Sequence, residues 1–244
     1  MRVPRLYVDK PFTTGTSVTL DDVASHHLSR VLRARVGQEV CLFNGMGLEC
    51  RGRLLDLGAR RATVAVETCA EVTRESALPI TLVQGISRGE RMDFTLQKAV
   101  ELGVGTIVPV IMERTVVRLD AAQAEKRRAH WRKIVIHACE QCGRNHLPEL
   151  RPVRHMNEWL ALPVAGAGIV LRPEAAQSLA QMDIPAHGGL TVMIGPEGGM
   201  SETEVALAGA RGYRPVRLGP RILRTETASL AALAAIQALW GDYR

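Results

Sequence analysis

Two segments hold the residues whose types and spacing could do chemistry. In the first, Thr191-Val-Met-Ile-Gly-Pro-Glu-Gly-Gly-Met-Ser201, an apolar run enters Gly195-Pro196-Glu197-Gly198-Gly199 and leaves through Ser201 and Glu204. That pair is an S-x-x-E capping box, the mark of a helix start. Glycines at such a turn open backbone angles closed to other residues and let a ligand approach the main chain. The segment has neither the G-x-G-x-x-G of dinucleotide sites nor the Gly-Lys-Ser/Thr of phosphate loops, which argues against an NTPase. Taken alone, it reads equally well as a tight strand-to-helix turn. The second segment, Leu218-Gly-Pro-Arg-Ile-Leu-Arg-Thr-Glu-Thr-Ala228, again turns through Gly-Pro and opens a helix. Thr225 is the expected N-cap, and Glu226 suits the first turn. Capping accounts for those two residues but leaves Arg221 and Arg224 as cations that no core requires.

Other clusters carry less. Arg88 and Arg91 flank Gly89 at the start of a helix on which Arg91, Thr95 and Lys98 share one face and Met92, Leu96, Ala99 and Val100 the apolar one. Alone, that is a solvated charged face. Lys126, Arg127, Arg128, Arg132 and Lys133 crowd a long helix on all sides, a basic surface within reach of phosphates. Cys139 and Cys142, with His137 and His146 nearby, lack the two separated pairs of a structural zinc site, so no metal is expected.

These segments need elements to hold them. From Arg5 to about Thr68 the chain is strand-rich, with runs at Glu39–Phe43, Leu48–Leu57 and Ala62–Thr68 separated by turn signals. One helix, opening at Asp21 or Asp22 and running to about Arg33, interrupts them. A small, mainly antiparallel barrel fits. The polar stretch Ala70–Leu78 ends at Pro79 and marks a boundary, giving domains of residues 1–72 and 73–244. Strands at Ile80–Ile86, Thr106–Ile111, Ile169–Leu171, Thr191–Ile194 and Val216–Leu218 then alternate with helices at Glu90–Leu102, Ala121–Cys142 and Glu226–Trp240. That alternation predicts an α/β domain with a mostly parallel sheet, which binds ligands in loops at the carboxyl ends of its strands.

The balance of 46% hydrophobic and 23% charged residues is that of a chain with a real core, and the net charge of +6 favours an anionic partner. Aromatics at 4% weaken any model in which several rings stack on bases. No signal-peptide or membrane-length run is present, and five cysteines without regular spacing argue against a disulfide framework, so a cytoplasmic protein is expected.

Together the two glycine segments resemble the family of small-subunit ribosomal RNA uridine N3-methyltransferases, RsmE, within the SPOUT class. Ile86-Ser-Arg-Gly-Glu-Arg-Met92, Gln97-Lys-Ala-Val-Glu-Leu-Gly103 and Ala138-Cys-Glu-Gln-Cys-Gly-Arg-Asn145 resemble it too. So do Arg2-Val-Pro-Arg-Leu-Tyr7, His26-His27 and Arg30-Val-Leu-Arg33. The resemblance implies a PUA-like barrel (1–72) that binds RNA and a knotted SPOUT domain (73–244). It further implies a homodimer acting on 16S rRNA of the small ribosomal subunit, with S-adenosylmethionine as cofactor. Position by position, it assigns the cofactor to Leu171, Pro173, Ile194, Gly195, Pro196, Glu197, Gly198, Gly199, Leu218, Gly219, Ile222, Leu223 and Thr225. RNA contacts fall on Arg2, Arg5, Arg30, Arg33, Arg88, Arg91 and Arg144. One departure is visible: Arg172-Pro173 stands where the family has His-Pro.

The uracil N3 proton is weakly acidic, so an enzyme must supply a base or stabilise the uracil anion, and must align the nitrogen with the methyl group. Arg224 is assigned the electrostatic role and Glu226 that of base. The rivals are a ribose 2′-O-methyltransferase of rRNA or tRNA and a non-catalytic RNA-binding ribosome-assembly protein, which would need no cofactor pocket.

Overall fold

The computed structural model describes residues 3–58, 60–164, 166–184 and 188–243; Arg2, expected on RNA, lies outside them. The chain forms two compact units. The first takes residues 1–75 together with 139–147, and the second takes 76–138 and 148–244.

In the first unit, β1 (Arg5–Tyr7), β2 (Ser17–Thr19), β3 (Glu39–Phe43), β4 (Leu48–Leu57) and β5 (Ala62–Glu71) make one sheet in the order β1-β3-β4-β5-β2. Only the β1–β3 pair is parallel. Alternation along β4 buries Cys50, Gly52 and Leu54 and exposes Arg51 and Arg53, the period-two signature of a half-buried strand. Gly52 is required there, because a Cβ would sit 2.2 Å from the carbonyl oxygen of Ala65. Helix α1 (Asp22–His26) is capped by Asp21, whose carboxylate accepts from the Ala24 N–H at 2.8 Å, and it continues as a π-helical turn over His27–Val31. Leu6, Leu28, Val40, Leu42, Leu54 and Val64 fill the core. Cys50 and Cys69 stand directly opposite one another on β4 and β5 and form a disulfide, whereas the odd cysteine count had argued against bridges. A single register-matched pair needs no regular spacing. Cys41, Cys139 and Cys142 are free.

Residues 139–147 complete this unit through a buried ionic cluster. Arg5 donates to Glu49 at 2.7 Å, and also to the Gly143 carbonyl and the Asn145 side chain. Arg74 donates to Glu49 at 2.9 Å and to the Gly143 carbonyl at 2.8 Å. The Asn145 amide donates to Glu49 and to the Val72 carbonyl, and Arg144 pairs with Glu75. Burial pushes the Glu49 carboxyl up, but hydrogen bonds from Arg5, Arg74 and Asn145 outweigh it and hold the pKa at about 2.

The second unit is an all-parallel sheet of β6 (Ile80–Gly85), β7 (Thr106–Ile111), β8 (Glu149–Leu150), β9 (Arg154–His155), β10 (Ala167–Leu171), β11 (Leu190–Ile194) and β12 (Tyr213–Val216). The order is β12-β10-β11-β6-β7-β8, with β9 also on β7. Helices α2 (Glu90–Glu101), α3 (Ala121–Cys142), α4 (Met156–Leu160), α5 (Glu202–Ala210) and α6 (Thr225–Trp240) complete the fold. Every residue of β11 is buried, as expected of a central parallel strand covered on both faces. Helix α2 buries Met92, Leu96, Ala99 and Val100, but also Thr95, whose hydroxyl donates to the Arg91 carbonyl and so leaves the polar face.

Two sequence expectations shift here. The last strand covers Tyr213–Val216 rather than Val216–Leu218, because its ladder partner β10 ends at Leu171, opposite Val216. As an edge strand it also tolerates Pro215, which has no N–H to give. The N-cap of α6 is Arg224, not Thr225, because the Thr225 hydroxyl donates to the Gly195 carbonyl instead of capping.

Candidate cofactor cavity

Strands β12, β10 and β11 are neighbours, so the loops leaving their carboxyl ends converge. They enclose a cavity of about 540 Å³, in the range of small-molecule sites. The loop after β10 gives Leu171, Arg172 and Pro173, and the loop after β11 gives Ile194 through Met200. The segment after β12 gives Leu218, Gly219, Ile222, Leu223 and Thr225, with Arg221, Arg224 and Glu226. Every residue expected at the cofactor therefore lines one cavity, as do Arg224 and Glu226.

Local chemistry explains the shape of each loop. The capping box at α5 forms, with the Glu204 N–H donating to Ser201 Oγ at 3.2 Å and the Ser201 N–H to Glu204 Oε2 at 2.9 Å. This fixes where the chain stops turning and the helix begins. Gly199 has a φ of +70° and Gly219 a φ of +134°, and in both cases a Cβ would point into open space. The glycine requirement at these two positions is thus one of backbone angle, and it leaves the main chain bare. By contrast, Gly85 must lack a Cβ, which would come within 2.4 Å of the Pro196 nitrogen.

The rim is charged and interlocked. Glu197 Oε1 accepts from the Arg88 N–H at 2.9 Å and from the Arg91 guanidinium at 3.2 Å. Burial raises the Glu197 carboxyl, and these bonds overcome it and hold the group below the usual carboxylate range. Arg114, which sequence reasoning missed, donates to the Gly198 carbonyl at 3.2 Å. Arg172 donates to Glu202 at 2.8 Å, and that bond raises its pKa while lowering that of Glu202. Two polar atoms in the cavity wall, Arg172 Nη1 and Glu226 Oε2, are buried without a hydrogen-bond partner. Buried polar atoms are rarely left so, and a ligand rich in polar groups would suit them.

The arginines expected on RNA divide into two sets. Arg30, Arg33, Arg88 and Arg91 are exposed, whereas Arg5 and Arg144 are buried in the ionic cluster of the first unit, with side chains only 10% and 5% exposed. A guanidinium committed to Glu49 or Glu75 has little left to offer a phosphate. Cys139 and Cys142 are both free thiols. Burial pushes the Cys139 thiol up to about 12, so it stays protonated, and it donates to the His146 carbonyl. Among the described residues no group of three or more His, Cys, Asp or Glu is placed to hold a metal ion, and no helix is long and apolar enough to cross a membrane.

Known proteins share this fold. Residues 74–237 match the model of the RNA methyltransferase domain, and residues 20–67 match that of the RNA methyltransferase PUA domain. The fold and cavity thus define an RNA methyltransferase. A Buchnera aphidicola protein named ribosomal RNA small subunit methyltransferase E is 33% identical over 99% of this chain and 98% of its own length. The Bacillus subtilis protein of that name is 30% identical over 90% of this chain and 88% of its own. A Neisseria gonorrhoeae methyltransferase E, solved bound to S-adenosyl methionine, is 45% identical, with a TM-score of 0.94 and full coverage of both chains. A Legionella pneumophila protein, solved in complex with the bound cofactor SAM, gives 37% identity and a TM-score of 0.95 over 99% of this chain. This chain belongs to the ribosomal RNA small subunit methyltransferase E family.

Proposed function

We propose that this protein transfers a methyl group from S-adenosylmethionine to N3 of one uridine in 16S rRNA of the small ribosomal subunit. The observation that carries the reading is the convergence of three proline-bearing loops, two of them also glycine-bearing, on one cavity that also holds Arg224 and Glu226. The bare main chain at Gly199 and Gly219 and the partnerless Arg172 Nη1 and Glu226 Oε2 fit a nucleoside carrying an amino-acid tail. The loops Leu171–Pro173, Ile194–Gly199 and Leu218–Thr225 would hold it. When bound, that cofactor supplies an electrophilic methyl on its sulfonium.

The chain's own residues do the rest. Glu226, in the first turn of α6, accepts the N3 proton, and Arg224, at the N-cap, meets the negative charge that spreads onto the uracil oxygens. The positive end of the α6 dipole adds to this stabilisation. Reaching N3 requires an unpaired or extruded uridine. Arg88 and Arg91 in the methyltransferase domain (73–244) hold its flanking phosphates, and Arg30 and Arg33 in the RNA-gripping domain (1–72) contact the RNA backbone.

The reading includes the trefoil knot of the SPOUT class, in keeping with the bond from Thr225 in the segment after β12 to Gly195 in the loop after β11. It also includes a homodimer. Helix α6 is apolar around its circumference, and Leu230, Ala231, Ala234 and Ala235 are only partly covered, while Ile222 is 82% exposed. Light scattering of the purified protein should give twice the chain mass. The substrate puts the protein in the cytoplasm.

The deciding experiment is methyl transfer from labelled S-adenosylmethionine to unmodified small subunits, with the site mapped by reverse transcription. A methyl on N3 blocks the pairing edge, so the copying enzyme should stop at one uridine. Label incorporated without a stop would mean a ribose methyltransferase, and no transfer to subunits or free rRNA would sink the catalytic reading.

A further inference from the structure

Gln84 lies near the end of β6, fully buried, and does not line the cavity. An amide inside a sheet core is costly unless both its ends are paired. Here both are. The Ser229 hydroxyl has two acceptors in reach, Gln84 Oε1 at 2.6 Å and the Thr225 carbonyl at 2.9 Å, and the shorter contact is to Gln84. Gln84 Nε2 donates to Thr225 Oγ1 at 3.1 Å, and Thr225 Oγ1 donates to the Gly195 carbonyl at 2.7 Å. The second Nε2 proton goes to the Gly85 carbonyl at 3.1 Å. The bonds of the relay run one way, from Ser229 on α6 to Gln84 on β6, back to Thr225 on α6, and on to Gly195, the first residue of the loop after β11. Direction matters because a hydroxyl carries a single proton. Thr225 can give its proton to Gly195 because Gln84 offers it a donor and not a second acceptor.

The relay binds together two things the reaction must keep in register. Thr225 and Ser229 are one turn apart on α6, and Thr225 is flanked by Arg224 and Glu226. Gly195 opens the loop whose remaining residues line the cavity. We infer that Gln84 is a positioning residue for methyl transfer: through Thr225 it fixes the first turn of α6 against the Gly195 loop, and so sets where Arg224 and Glu226 stand relative to the bound cofactor. This inference rests on the methyltransferase reading above. Small displacements are expensive in a reaction that depends on alignment.

Two variants test it in the full chain with small subunits as substrate. Gln84→Met keeps the side-chain volume and removes both polar ends, while Ser229→Ala removes only the first donor. At saturating cofactor and subunits, the single-turnover rate of Gln84→Met should fall roughly ten- to hundredfold. Ser229→Ala should lose less, and the double variant should be no slower than Gln84→Met alone, because the bonds lie in series. Affinity for S-adenosylhomocysteine, read by calorimetry, should meanwhile stay within about threefold of the unaltered protein. A rate for Gln84→Met within about twofold of the parent, or a loss of affinity as large as the loss of rate, would overturn the inference. Should Gln84→Met fail to fold, the same split between rate and affinity in Ser229→Ala decides. Absence of any transfer by the parent protein would instead overturn the methyltransferase reading, and this inference with it.

Discussion

Two regions of the molecule, the cluster around Glu49 and the rim of the cavity, use arginine in opposite ways. In the first, Arg5 and Arg144 are drawn inward and spent on Glu49, Glu75 and backbone carbonyls. In the second, Arg88, Arg91, Arg221 and Arg224 remain exposed around the cavity and its rim. The difference lies in the available acceptor and not in the arginine. Where a carboxylate is buried beside it, the guanidinium becomes internal structure, and removing either partner leaves an uncompensated charge. Where no carboxylate is buried beside it, or the pair lies at the surface as Arg91 and Glu197 do, the cation stays within reach of a phosphate or a developing anion.

The largest effect should come from breaking the inward set. Arg5→Met leaves Glu49 short of its closest cation and should cost about 3–5 kcal/mol in urea unfolding, with S-adenosylhomocysteine affinity of the still-folded fraction unaltered. Acid should act on the same cluster. The Glu49 carboxyl is depressed to about 2 from an ordinary 4.5, so it contributes stability that is fully present above about 4.5 and lost as pH falls through about 2. That contribution amounts to roughly 3 kcal/mol. Melting curves recorded down this pH range should lose it progressively, and Glu49→Gln should flatten the acid limb.

The outward set should behave conversely. Arg224→Ala should lower turnover about a hundredfold while cofactor affinity and thermal melting hold, as expected for a group that meets charge only in the transition state. Unchanged turnover would remove Arg224 from the mechanism. The smallest effect belongs to the rim. Arg88→Ala should weaken subunit binding a few-fold and reduce the salt dependence by about one phosphate contact, which filter binding at several ionic strengths would resolve. If Arg88→Ala destabilised the fold as Arg5→Met does, the contrast between the two sets would fail.

The same contrast explains what could be read in the sequence. The cavity was legible because its determinants are local. An apolar strand, a Gly-Pro turn and a capping pair follow one another directly along Thr191–Glu204, and a second Gly-Pro turn leads into a helix at Leu218–Thr225. The inward cluster was not legible, because Glu49 and Asn145 are 96 residues apart and no periodicity relates them. Arg5 and Arg144 carry the charge of RNA-binding residues, and only the fold shows what consumes it. Gln84 was overlooked for a related reason. Within Ile80–Ile86 it reads as one polar residue in an apolar strand, and its partners Thr225 and Ser229 lie on the last helix. The sequence context of Thr225 suits a cap, but in the fold its hydroxyl goes to the Gly195 carbonyl.

Residues 139–147 belong to the first unit although nearly all of the intervening chain builds the second. During synthesis the first seventy-odd residues therefore leave the ribosome with Glu49 facing Arg5 and Arg74 but without Asn145 or the Gly143 carbonyl. The usual order, in which an N-terminal domain matures first, cannot run to completion here. The first unit must wait for residue 147, by which point β6, α2, β7 and α3 have already been made. A protein assigned to the ribosomal small subunit would thus finish its own first unit only after more than half of the chain has been translated.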